Sequence, residues 1–326
     1  MKRRRLLLAG GALLAAAAAP AFSQAPKLRR IAFLHPARRS GTQGEVFESF
    51  RAGLKELGYI EGRDISIEAT WAEDRAERLP SLAAAIVARK PDVLVTATTA
   101  GVAAFSKATS TIPIVFATVA NPVEQGFVSS LQRPGGNITG VLVYPKLTQK
   151  LVEVAREALP GAKRLALLTH EADPAHKYDL EDFEETARRQ KFTPLVVKIS
   201  RREDLGNAFA ELAKRKTDAV IIGQLAIFGS NQSEIGALAL KTKLAVLSAQ
   251  LSFAEHGALL SYGTSREENY RRAAALVDKI LRGANPADLA VEQPQRFYLI
   301  VNRRTAKLIG AKLGPAMNGR ADRIID

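Results

Sequence analysis

Apolar runs of strand length alternate with amphipathic runs of helix length along almost the whole chain. That alternation limits the fold more than any other feature. Strand-length runs fall at 30–35, 64–70, 92–97, 113–118 and 138–143, and again at 163–169, 194–199, 218–223, 244–248 and 258–262. Helical patterns lie between them, at 44–58, 75–89, 99–108, 123–132, 147–158, 178–190, 202–215, 230–241 and 266–282. Gly58, Pro91, Gly161 and Gly283 stand where helices should stop. Strands separated by helices imply right-handed crossovers and parallel sheets, an α/β fold.

The pattern comes in two halves. "RRIAFLHPAR" opens the first and "KRLALLTHEA" the second, each a basic start, an apolar strand and a polar loop with a histidine. Two sister lobes account for this better than one ten-stranded sheet, which would be unusually wide. The chain is expected to cross between lobes near 143–147, near 262–266, and in the Pro-rich stretch 284–296. Lobe 1 is then 24–143 plus 263–290, and lobe 2 is 144–262 plus 291–326. The closing "FYLIVNRRTAKLIGAKL" reads as a strand and a helix set against the second lobe.

Residues 1–23 stand apart. Lys2, Arg3, Arg4 and Arg5 precede an apolar run from Leu6 to Ala19, and Ala21 and Ser23 suit a cut before Gln24. This predicts a secretory signal peptide and a periplasmic protein. The run is short for a membrane span, which needs about 20 residues. The arginine run followed by Leu6 and Leu7 bears a faint resemblance to a twin-arginine leader. The chain has no cysteine, which excludes disulfides, thiolate chemistry and a lipoprotein anchor.

Of the formal charge of +14, four positives sit in the leader, leaving +10. The basic residues are mixed with acids, as in "RAERLPSLAAAIVARK", without interleaved aromatics or a zinc-finger or RNP1 pattern. No nucleic-acid partner is expected; the surface field mildly favours an anionic ligand. No G-x-S-x-G, G-x-x-x-x-G-K-[ST] or G-x-G-x-x-G stretch occurs. The loop "HEADPAH" holds His170, Glu171, Asp173 and His176 but lacks a third nitrogen or sulfur ligand for a zinc-type site. The expectation is a protein with no enzymatic activity, cofactor or metal. Trp71 reads as a packing residue.

Ligands of open α/β sheets bind beyond the carboxyl ends of the strands. Those ends carry His35, then Thr98 and Thr99, then Thr118 and Asn121 in the first half. In the second half they carry His170, Gln224, Gln250 and Tyr262, the last like Tyr144 at a lobe crossing. Thr98 or Thr99 can cap the helix beginning near Ala100, whose free N–H groups and dipole attract an anion. Thr118 followed by "NPV" promises a second such end, with Pro122 opening a helix. Two ends side by side would seat a carboxylate. Tyr144 and Tyr262 can stack on a ligand or pack a hinge.

Three stretches resemble a known family. They are "FRAGLKELGYIEGRDISIEATWAEDRAERLPSLAAAIVARKPDVLVT", "IPIVFATVANPVEQGFVSSLQRPGGNITGV" and "LLSYGTSREENYRRAAALVDKILRGANPADLAVEQPQRFYLIVN". They resemble the ABC-transporter substrate-binding family of the tryptophan- and tyrosine-binding type, in order and over nearly the whole mature chain. The resemblance implies a type I periplasmic-binding-protein fold: two Rossmann-like lobes with parallel sheets, a three-strand hinge, and a ligand in the cleft. It implies ligand contacts from the loops of Thr98, Thr99, Thr118, Asn121, Tyr144 and Tyr262, and a partner permease in the inner membrane met by a monomer. The chain departs from related sequences in its basic first loop, "HPARRSGTQG", and in "THEAD" and "GQLAIFGS". The ligand expected is a small carboxylate-bearing molecule, an amino acid or an aromatic acid. A hydrolase using His35 or His170, or a ligand-sensing partner of a membrane receptor, are the alternatives.

Overall fold

A computed structural model describes residues 28–39, 41–143, 146–170, 176–294 and 296–326. The leader, Tyr144 and the 171–175 part of the His170 loop lie outside the described residues. The first sheet contains β1 (Arg29–His35), β2 (Ile65–Trp71), β3 (Val93–Thr96), β4 (Ile114–Val119) and β5 (Ile138–Leu142). The second contains β6 (Arg164–His170), β7 (Thr193–Ile199), β8 (Ala219–Ile222), β9 (Ala245–Ser248), β10 (Leu260–Gly263), β11 (Tyr298–Asn302) and β12 (Arg323–Ile325). The strand orders are β2-β1-β3-β4-β5 and β12-β11-β10-β9-β8-β6-β7. All ten expected strands form within two residues of their expected bounds.

Helices cover both faces of each sheet, which is why the central strands are apolar on both sides. Val93–Thr96 and Ala219–Ile222 are buried at every position. On one face of the first sheet lie α1 (Thr42–Glu56) and α9 (Arg266–Leu281); on the other lie α2 (Leu79–Ala88) and α3 (Thr99–Ala108). The second sheet is covered on one side by α4 (Leu147–Ala158), α5 (His176–Arg189), α10 (Arg303–Ile309) and α11 (Met317–Arg320). Its other side packs α6 (Leu205–Lys214), α7 (Ala226–Ser230) and α8 (Gln232–Thr242).

The chain passes between the two bodies three times. It leaves β5 for α4, and leaves β10 for α9. It returns through Glu292, whose N–H bonds the Gly140 carbonyl at 2.8 Å before β11 begins. Sequence periodicity implied parallel sheets throughout, but β11 runs antiparallel to β10. The reason is the path. β10 ends at the cleft, the chain visits the first body, and it re-enters at the cleft edge, so the next strand must run away from it. The three-residue β12, parallel to β11, carries no sequence signal of its own.

The helix expected at 123–132 does not form. Asn121 adopts φ 48° and Gly126 φ 72°, so left-handed residues bracket a single turn. The Phe127 N–H bonds the Pro122 carbonyl at 2.9 Å, and the Gln125 amide donates to the Ala120 carbonyl at 2.6 Å.

Covalently, α9 follows the second sheet, yet it packs in the first core. Tyr270, Ala273, Ala274 and Val277 meet Ile31, Phe33, Phe47 and Phe50 there. Gly53 permits the approach: a Cβ on it would lie 2.9 Å from Ala274 Cβ and 3.1 Å from Arg271 Cα. Gly53→Leu is expected to destabilise by about 1–3 kcal/mol through overpacking. The check is the urea midpoint at unchanged slope; an unmoved midpoint would mean the two helices do not meet at Gly53.

Candidate functional site

The carboxyl ends of both sheets face one cavity. From the first body it is lined by His35 after β1, Gln43 on α1, Thr98 and Thr99 at the start of α3, and Thr118 and Asn121 around the end of β4. From the second come Gln224 and Ala226 after β8, and Ala249 and Gln250 after β9. Thr264 and Arg266, on the passage from β10 into α9, complete the wall with Gln125, Val143 and Leu147.

The threonines are placed by local backbone chemistry. Thr98 is extended (φ −140°, ψ 153°) and its hydroxyl accepts from the Gly101 N–H at 3.1 Å, capping α3. Gly101 has to be glycine for the turn to be this tight, since a Cβ there would fall 1.9 Å from Thr96 Oγ1. Thr118 donates its hydroxyl to the Ala97 carbonyl, tying the end of β4 to the turn after β3. With its proton engaged, Thr118 can only accept from a ligand, whereas the Thr98 hydroxyl keeps its proton to donate. Since the helix after Asn121 is absent, the expected pair of α3 and a helix opened by Pro122 does not form; the first residues of α4, α7 and α9 (Leu147, Ala226 and Arg266) line the cavity beside the start of α3.

Arg266 supplies the cationic charge of the wall. Its guanidinium donates to Gln43 Oε1 at 2.8 Å and to Gln250 Oε1 at 3.3 Å, so one carboxamide from each body holds it. Among the described residues no carboxylate pairs with it. At the cleft mouth, Arg38 lies 2.7 Å from Asp74 and donates to Asn231 Oδ1 at 2.9 Å. The Ser230 hydroxyl reaches Asp74 Oδ1 at 2.8 Å. These last two bonds join the bodies directly.

His35 is 1% exposed and its ring lies 5.3 Å from that of Trp71. Nδ1 accepts from the Ala37 N–H at 3.1 Å, which fixes the neutral tautomer with the proton on Nε2. Nε2 is buried without a hydrogen-bond partner among the described residues. Burial, and then the charge of Arg266, push the imidazole from 6.5 down to about 3.

Of the residues singled out in the sequence, His35, Thr98, Thr99, Thr118, Asn121, Gln224 and Gln250 meet at the cavity. Two do not. His170 bonds the Ser200 carbonyl at 2.9 Å and faces a smaller neighbouring cleft with Asp74 and Ile227. Tyr262 stacks on Phe297 at 5.9 Å instead of lining the wall, so it packs the hinge. Tyr144 lies outside the described residues. Sequence reasoning missed Gln43, Gln125 and Arg266, each of which reads as an ordinary polar residue near a helix start or turn.

The depressed His35 imidazole has a stability consequence. The unfolded chain takes up a proton below 6.5 that the folded chain refuses until about 3. Stability should therefore fall as the pH drops through that window, by up to about 1.4 kcal/mol per pH unit from this group. Denaturant unfolding of wild type and His35→Gln at several pH values checks it: the variant should lose that part of the slope, and equal slopes would refute the burial assignment.

Comparison with known proteins agrees with this architecture. The family model described as ABC transporter substrate binding protein matches residues 32–325. A tyrosine-binding protein of Clostridioides difficile is 25% identical over 275 residues, 84% of this chain and 78% of that one. The structure of an ABC domain from Streptococcus pneumoniae in complex with L-Trp superposes with a TM-score of 0.83 at 21% identity, covering 91% of this chain and 100% of the other. The ligand-free, open structure of a substrate-binding protein with adhesive properties from Clostridium difficile gives 0.63 at 22% identity, covering 91% and 99%. A family match over nearly all the described residues, on two α/β bodies that share a cavity, establishes that the chain belongs to the ABC transporter substrate-binding protein family.

Proposed function

We propose that the chain is exported to the periplasm as a monomer. There it captures a small carboxylate-bearing molecule, an amino acid or an aromatic acid, and delivers it to an inner-membrane permease. The observation that carries this reading is the cavity wall itself. It is built from strand ends of both bodies, with the free N–H groups of α3, the threonine hydroxyls and the Arg266 guanidinium converging on one space. A ligand there touches both bodies only when they are closed, so its binding energy favours the closed form. The binding of tyrosine and L-Trp by similar proteins supports an aromatic or amino-acid ligand. The better superposition on the L-Trp complex than on the open structure, at equal coverage, supports a closed arrangement.

The same geometry weighs against the hydrolase reading. His35, the histidine that lines the cavity, accepts from the Ala37 N–H and has no nucleophile as a hydrogen-bond partner among the described residues. The residues singled out form a lining for recognition.

A ligand at 100 times its Kd adds about 2.7 kcal/mol to folding stability, a Tm rise of roughly 5 °C for a chain of this size. A thermal-shift screen of amino acids and aromatic carboxylates is expected to find such a compound. Turnover of a compound, with no stabilising ligand in the screen, would overturn the proposal.

A further inference from the structure

We infer that the cavity selects an organic carboxylate that carries no ammonium group, with the carboxylate seated between the Arg266 guanidinium and the His35 Nε2–H. This rests on the solute-binding reading of the same cavity and narrows its ligand class.

The first ground is the charge of the wall. Its described residues include one full cation, Arg266, and no carboxylate. Two described acidic residues close to this wall are engaged elsewhere. Asp74 faces the neighbouring cleft, bound to Arg38 and the Ser230 hydroxyl. Glu267 accepts from the Ser265 hydroxyl at 2.8 Å and does not line the cavity. An α-ammonium group would leave water to meet only neutral oxygens close to a like charge, which disfavours it.

The second ground is the state of the donors. Arg266 is held by two neutral carboxamides, which aim the guanidinium without neutralising it. A guanidinium has five N–H donors, so several stay open to a ligand. His35 is the independent observation: a buried side chain whose Nε2–H has no partner and which lines the same cavity. Its other nitrogen is occupied by the Ala37 N–H, so the ring cannot flip its proton away from Nε2 without losing that bond. Both groups donate, and both need a ligand oxygen that only accepts. A carboxylate is such a group and pairs with guanidinium in the strongest geometry available to side chains.

The third ground is position. Arg266 opens α9 immediately after the strand that leaves the second sheet, and its two partners belong to different bodies. An anion bound to it sits where Gln250 of the second body reaches the guanidinium, so the seat is complete only with Gln250 in place.

The test uses matched triplets that share a side group: 3-phenylpropionate, L-phenylalanine and phenethylamine, then indole-3-propionate, L-tryptophan and tryptamine. Titration calorimetry on the mature wild-type chain is expected to show each acid binding at least ten-fold tighter than its amino acid, with no binding of the amines. Arg266→Gln should weaken the acid by a hundred-fold or more. Arg266→Lys, which keeps the charge but not the fork, should recover part of the loss. Amino acids that bind as tightly as the acids, or tighter, overturn this inference and leave the solute-binding reading standing. A chain that binds no member of either triplet and none of the screened carboxylates or amino acids overturns both. Should the Arg266 variants fail to fold, the comparison of acid with amino acid on the wild-type chain decides alone.

Discussion

The packing of α9 onto α1 is the contact on which the rest of the arrangement depends. The helix is tied to the second sheet by the short Thr264–Ser265 link, yet its apolar face lies in the first core beside Phe33 and Phe50. Because the link is short and the helix is anchored, the end of β10 is pinned near the first sheet. That places Arg266 at the cavity. It also sends the returning chain along the edge of β5 through Glu292, and so forces β11 to run against β10. Ser265 completes the junction by accepting the Glu268 N–H at 3.2 Å, so α9 starts sharply at the crossing and does not fray into it.

Stability is given up where the two bodies meet. His35 Nε2 and Thr96 Oγ1 are both buried without partners among the described residues. Each buried, unsatisfied polar atom costs about 1–3 kcal/mol. The two have different meanings. Thr96 lies under the first turn of α3, next to Gly101, where no ligand reaches; its hydroxyl has no explanation in the structure. His35 lines the cavity, so a ligand oxygen would repay its missing bond, and that part of the binding energy costs no new ordering because the ring is already fixed.

Much of this was legible in the sequence, and the reason is locality. Strands covered on both faces show as apolar runs, and the cap at Thr98 shows as a hydroxyl directly before a helical pattern. The strand-end rule then brought His35, Thr99, Thr118, Asn121, Gln224 and Gln250 to one place. The failures are equally physical. The helix expected after Pro122 has the right opening residue, but Gly126 adopts a left-handed φ and the turn ends there. Arg266 looks like one more basic residue on a charged helix; its role depends on which body that helix packs against, and no local pattern reports that. The Arg38, Asp74, Ser230 and Asn231 contacts span up to 193 positions. Tyr262 shows the converse limit: a strand-end aromatic can turn to stack on Phe297 as readily as on a ligand.

The closing of the two bodies can be weighed from the contacts at the cleft mouth. Arg38 and Asp74 are both part of the first body, so their ion pair survives opening. Among the described residues, the hydrogen bonds across the cleft are Arg38–Asn231 and Ser230–Asp74, with the Gln43–Arg266–Gln250 bridge inside, beside the packing of α1 on α7. Hydrogen bonds of this kind contribute about 0.5–1.5 kcal/mol each, more where a charge takes part, and water competes for them as soon as the cleft opens. Their sum is a few kcal/mol, comparable to the ordering entropy that closure loses. Direct contacts alone therefore leave the two forms near balance. On the carboxylate proposal, Arg266 and His35 both belong to the first body, so the seat reaches the second body through Gln250, and closure would be favoured by the groups of the second body that the rest of the ligand meets. The group proposed to recognise the anion thus stands on the passage between the two bodies, at the first residue of α9.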